Sequence, residues 1–226
     1  MKIISKKKIL SYLDKSHSFS INNSKKKIWI DSSNALPWII QPLKEKFKKA
    51  KFIFLIRNGR KVVSSFYNKF NEIMYNKKDV LLLKRYVDKK IKHLSSEKKY
   101  WRPIPTKNKE FSNYLKQDQF TKICIYWSHI NSTIRKNLTS VKNMNKMFFK
   151  LENLNDKREL TKVLKFIGVK GKDLQKVFKK FERPVNVRKP KNFKLSNKQE
   201  KIFRKICGKE MIKNGYNYDD FYNLGY

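Results

Sequence analysis

Glycine is missing from the first 58 residues of this 226-residue chain. A loop that cradles a phosphate on its backbone amides needs residues without a Cβ, so residues 1–58 hold no glycine-rich phosphate loop. Cysteine is scarce as well. Cys124 and Cys207 lie far apart in sequence and outside any metal-ligand spacing. Two isolated cysteines are most simply read as reduced thiols in a cytosolic protein. The three histidines, His17, His93 and His129, stand at no ligand spacing, which argues against a histidine-based metal site. No apolar run approaches the roughly 18 residues that span a membrane. The start, Met1-Lys2-Ile3-Ile4-Ser5-Lys6-Lys7-Lys8, is too polar for the apolar segment of a signal peptide.

Acidic residues are few: 18 Asp and Glu stand against 56 Lys and Arg, for a formal charge of +38. Such an excess ordinarily points to nucleic acid or an anionic surface. Only 9 of the 56 cations are Arg, however, and the lysines are spread along the chain. With Asn and Ile also abundant, this is the composition of an A+T-rich coding sequence that fills solvated positions with Lys. Two readings stay open: a solvated surface, and an attraction that steers a polyanionic nucleotide or glycan. A basic nucleic-acid binder rests on net charge alone, because no reader motif accompanies it.

What the chain does contain is a core. Aromatics make up 14% of the residues, enough for a folded globule, and the length suits one domain spanning 1–226. The most informative stretch is Phe52-Ile53-Phe54-Leu55-Ile56-Arg57-Asn58-Gly59-Arg60 through Ser65. Five apolar residues in a row, rich in β-branched and aromatic types, predict a strand buried on both faces of a parallel sheet. Asn58-Gly59 offers a turn and a helix start, and Val62, Val63, Phe66 and Phe70 recur at helical spacing. Free amides and the helix dipole at such a start favour an anion. Arg57 can fork onto a phosphate and Ser65, eight residues on, can donate a hydrogen bond. The alternative is an Arg paired at a strand end and a Ser facing a neighbouring helix.

The rest of the chain supplies the frame. Residues 1–27 form a basic lead with room for a brief helix. Ile28-Trp29-Ile30-Asp31 predicts a second buried strand, followed by a helix that Pro37 opens and that carries Ile39, Ile40, Leu43 and Phe47. Strand, helix, strand at this spacing is a βαβ unit, so the fold class is α/β with a parallel core. Residues 71–113 are irregular apart from a helix near Val80–Ile91, and two prolines hold Tyr100–Pro105 in a loop. Tyr114–Leu138 reads as one long helix. Met147–Leu151 is a third strand candidate, followed by a helix closed by Gly168. Leu174–Phe181 is a short helix. Glu182–Leu195 is a basic loop containing Arg188 and Lys189, a second candidate anion clamp or a solvated charge run. Ser196 and Gln199 make a capping box for the last helix.

Together these stretches resemble the PAPS-dependent sulfotransferase family. The resemblance runs from Asp31-Ser32-Ser33 to Gly215-Tyr216 and is strongest from Phe52 to Ser65, which looks like the family's 3′-phosphate motif. Trp127 and Asn131 resemble a W-x3-N helix of bacterial members. Leu151-Glu152-Asn153-Leu154 resembles Y-E-D-L, with Leu151 in place of the Tyr that commonly contacts adenine. The resemblance implies a three-layer parallel sheet flanked by helices, of the P-loop NTPase type. It implies PAPS as sulfuryl donor, no metal, and a hydroxyl or amine acceptor on a glycan or lipid-linked glycan. It also implies donor contacts from Arg57, Ser65, Arg188 and Lys189. Acceptor choice would fall to residues 71–113. The family's opening strand and P-[RK]-[ST]-G-[ST]-T loop have no counterpart here, as in an N-terminally truncated, incomplete or split form. Asp31 admits two roles, a general base for the acceptor and a cap of the following turn. A folded but inactive nucleotide-binding or partner protein is the alternative.

Overall fold

The computed structural model describes residues 5–32, 36–69, 75–94, 103–169 and 194–217. The fold is α/β: mostly helical, with one two-stranded parallel sheet among the described residues. The chain divides into two compact units, each built from separate stretches of sequence. One takes residues 4–57 and 133–189, the other 58–132 and 190–226 together with Met1–Ile3.

The first unit begins with α1 (Lys6–Leu13), which runs through a π turn (Asp14–Ser18) into α2 (Phe19–Asn22). Ser5 starts α1 by accepting a hydrogen bond from the Lys8 amide. Lys6 pairs with Glu45 at 2.7 Å and Asp14 pairs with Lys46, which ties this run to α3 (Ile40–Lys46). Pro37 opens a 3₁₀ turn, Leu36–Trp38, that leads into α3. Ile28–Asp31, expected as a buried strand, is irregular instead, with Ile30 64% exposed. A strand needs a ladder, and among the described residues the only ladder joins β1 (Phe52–Ile56) to β2 (Lys146–Lys150).

That ladder pairs Phe52 with Lys146 through to Ile56 with Lys150. β1 is buried on one face only, contrary to the expectation from its unbroken apolar run. Phe54 and Ile56 are buried, whereas Leu55 is 55% exposed and Ile53 lies at the edge of exposure. Strand side chains alternate between faces, and no described layer covers the second face. After β2 a 3₁₀ turn, Leu151–Asn155, leads to α8 (Lys157–Ile167), which Asp156 caps through the amides of Arg158 and Glu159. Gly168 ends α8 with φ 99°, a left-handed position that favours glycine.

The second unit holds α4 (Gly59–Lys69), α5 (Lys77–Val87), α6 (Asn108–Lys116), most of α7 (Gln119–Leu138) and α9 (Asn197–Lys213). Its centre is Val63, Ile123, Cys124, Phe203, Cys207 and Met211, all without solvent exposure. Residues 114–138 are not the single helix expected. The chain breaks at Gln117-Asp118, where Asp118 accepts from the Thr121 amide at 2.7 Å and so starts a new helix. Lys122 then reaches back to the carbonyls of Leu115 and Gln117, satisfying the end of α6. Ser196 and Gln199 form the expected capping box on α9.

Candidate functional site

The stretch that carries the strongest sequence signal folds as strand, turn, helix. β1 ends at Ile56, Arg57 follows half-buried, and Asn58 begins α4. Asn58 is an N-cap. Its side-chain oxygen accepts from the Arg60 amide at 2.9 Å and the Lys61 amide at 3.5 Å, and its carbonyl takes the Val62 amide at 3.1 Å. The Gly59 amide donates to Met211 Sδ at 3.3 Å. The first four amides of α4 are therefore all engaged. The expectation that this helix start offers free amides to an anion does not hold, because a buried side chain already caps it. Any phosphate here depends on side chains.

Gly59 is required by space. A Cβ built there would lie 2.9 Å from Trp127 Cζ2 and 3.0 Å from Met211 Sδ. Arg60 is equally committed: its guanidinium holds Glu200 on α9 at 2.9 Å through Nε and lies 5.5 Å from the Phe203 ring centre. This cation ties α4 to α9 within the unit and is spent on structure. Trp127 and Asn131, the W-x3-N pair, are both buried, and Asn131 donates to the Trp127 carbonyl at 2.7 Å.

Ser65 lies on the second turn of α4 and is half-buried. Its neighbour Ser64 is fully buried and accepts from Asn68, whereas the Ser65 hydroxyl makes no hydrogen bond to another described residue. Arg57 closes one compact unit and Ser65 belongs to the other. Arg188 and Lys189, the remaining expected donor contacts, lie outside the described residues.

Asp31 has a partner that sequence reasoning missed. Its Oδ2 lies 2.9 Å from Nε2 of His17, on the π turn. The rings of Trp29 and Phe47 stand 5.3 and 6.4 Å from the imidazole. Nothing in the spacing of His17 and Asp31 marks them as neighbours. The alternative role of Asp31 as a cap concerns residues 33–35, outside the described residues.

Two further groups are shifted by burial. Cys207 Sγ donates to the Cys124 carbonyl at 3.4 Å, and burial pushes the Cys207 thiol far up, with Cys124 and Glu210 adding to it. Burial also holds the Lys122 ammonium below its ordinary range, against the opposing charge of Asp118. Among the described residues no group of three or more His, Cys, Asp or Glu gathers to hold a metal ion, and no helix is long and apolar enough to cross a membrane. No family model, curated protein or solved structure matches the chain.

Proposed function

We propose that this protein is a sulfotransferase, with PAPS held at its 3′-phosphate and a sulfuryl group moved to a hydroxyl or amine acceptor on a glycan or lipid-linked glycan. The observation that carries the reading is the strand–Arg–cap–helix unit of β1, Arg57, Asn58 and α4, with the unengaged Ser65 hydroxyl eight residues after the Arg. Support also comes from the parallel β1–β2 pair and from the order of the W-x3-N and L-E-N-L segments along the chain. The finer architecture proposed is a three-layer parallel sheet of the P-loop type.

The test is a titration of adenosine 3′,5′-bisphosphate against the wild-type chain and two variants. A charge-assisted phosphate contact is worth about 1.5–3 kcal/mol, so Arg57→Ala should weaken binding by about 10- to 150-fold. Ser65→Ala removes a hydrogen bond worth about 1 kcal/mol and should cost about fivefold. Equal binding by all three chains sinks the phosphate site.

A second reading has its own support. With no glycine in residues 1–58 and the α4 amides engaged, nothing described cradles the donor's reacting phosphosulfate. Each missing donor of that kind costs about 3–4 kcal/mol of transition-state stabilisation. An inactive nucleotide-binding protein fits this. Turnover of labelled PAPS with mixed glycan acceptors by the chain alone would remove it.

A further inference from the structure

We propose that Cys124 on α7 and Cys207 on α9 form a sealed dithiol: when α9 lifts from α7, exchange with a small-molecule disulfide joins the two sulfurs, and the bond then fastens α9 beside the start of α4. The inference concerns the core of the second unit and does not depend on the sulfuryl-transfer reading.

The chain has only two cysteines, and folding brings both to one contact. They lie 83 positions apart on separate helices, yet the Cys207 thiol donates to the Cys124 carbonyl at 3.4 Å. The sulfur of one helix therefore touches the backbone of the other at the residue that carries the second sulfur. The Cys207 thiol also meets the Cys124 thiol through a side-chain hydrogen bond. Both cysteines are free, and neither has any solvent exposure. A disulfide cannot join cysteines whose Cα atoms are more than about 7 Å apart or whose Cβ atoms point apart. Thiols in mutual contact meet the second condition, and a sulfur resting on its neighbour's backbone brings the two helices close at this point. Phe203, Met211 and Ile123, all without exposure, enclose the same core.

Burial decides when the pair reacts. Exchange is carried by thiolate, and burial holds the Cys207 thiol far above its ordinary range. In the closed fold no oxidant reaches the sulfurs and little thiolate is there to attack one, so the pair answers only when α9 opens. One protein thiol then loses its proton, and its sulfur attacks the small disulfide and expels half of it as a thiolate. The second protein thiolate attacks that same protein sulfur and expels the other half. Two protein thiols are oxidised to one disulfide, one small disulfide is reduced to two thiols, and the two protons end on them. The helix fastened in this way holds the start of α4. Met211 accepts the Gly59 amide at 3.3 Å, Glu200 accepts from Arg60 at 2.9 Å, and Phe203 stands 6.5 Å from the Trp127 ring.

The experiment uses the wild-type chain in a buffer of oxidised and reduced glutathione, in water and in strongly denaturing urea. Equilibrium is approached from both the reduced and the oxidised chain, and the dithiol, mixed-disulfide and disulfide forms are counted by mass spectrometry after acid quenching. A bond that suits the fold is favoured by folding to the extent that it stabilises the fold. For disulfides that factor is typically about 30- to 900-fold. The ratio of intramolecular disulfide to dithiol should be higher in water than in urea by that factor, and small additions of urea should speed its formation. An equal or lower ratio in water, glutathione retained on one cysteine of the folded chain, or a disulfide between two chains overturns the pair. Fast closure in water that urea does not change overturns the seal. Hydrogen exchange tests the fastening of α4: the Gly59 amide should exchange more slowly in the oxidised chain, and an unchanged or faster rate overturns that part.

Discussion

At the scale of single residues, the turn after β1 shows how one position can be fixed by neighbours remote in sequence. Gly59 reads as a turn residue, yet its φ is not among the positive ones of the described glycines. What it supplies is closeness: the start of α4 lies against the Trp127 ring and the Met211 sulfur. Met211 has a flexible end and can shift, whereas the Trp127 ring is buried in the core. Gly59→Ala should therefore destabilise the protein by about 1–3 kcal/mol, the usual cost of overpacking. Urea unfolding checks this, and a stabilised variant would mean that the helix start has room. Because Gly is a poor helix former, a net loss on replacing it with Ala also rules out a simple propensity effect.

At the scale of elements, periodicity placed β1 and most helices but misread Ile28–Asp31 as a strand, and it told burial poorly. The β1 strand, α4, the capping box of α9 and the Gly168 stop were legible because each rests on local chemistry: branched side chains, an Asn cap, a Ser–Gln pair, a residue tolerant of positive φ. Burial depends on what arrives from elsewhere, so the run from Phe52 to Ile56 gave no sign that one face stays open. The consequence is measurable. Leu55→Thr should change stability by no more than about 0.5 kcal/mol, as at an ordinary surface site. Phe54→Ala on the other face should cost about 3–5 kcal/mol. Comparable losses at both positions would mean that the second face is covered in solution. The break between α6 and α7 was hidden for a different reason. Asp118 and Lys122 cap the two helix ends without interrupting the apolar stripe, and a stripe is all that periodicity sees. For the candidate site, Arg57 and Ser65 stood out by spacing, while His17 did not, because its link to Asp31 joins residues 14 apart through folding alone.

At the scale of the whole molecule, charge dominates. Fifty-six cations and 18 carboxylates leave a formal charge of +38 on 226 residues, and like charges of that density repel within any compact state. The repulsion is long-ranged only in dilute salt, where the screening length is about 30 Å at 0.01 M against about 8 Å at 0.15 M. Thermal midpoints should rise with sodium chloride over that range. A midpoint that is flat or falls would show that the ion pairs Arg60–Glu200 and Lys84–Asp88 outweigh the repulsion.

The path of the chain through its two units has a consequence for how the protein is made. The unit that holds α4 and α7 is finished by α9, whose Phe203, Cys207 and Met211 complete its core. A ribosome adds about 5–20 residues per second, so the surface around Gly59 and Trp127 waits roughly 4–17 s for α9 to be made. During that interval a basic chain has uncovered aromatic side chains, and a chaperone that shields apolar surface has a defined window in which to act. Synthesis pauses placed before the end of α9 would lengthen the window.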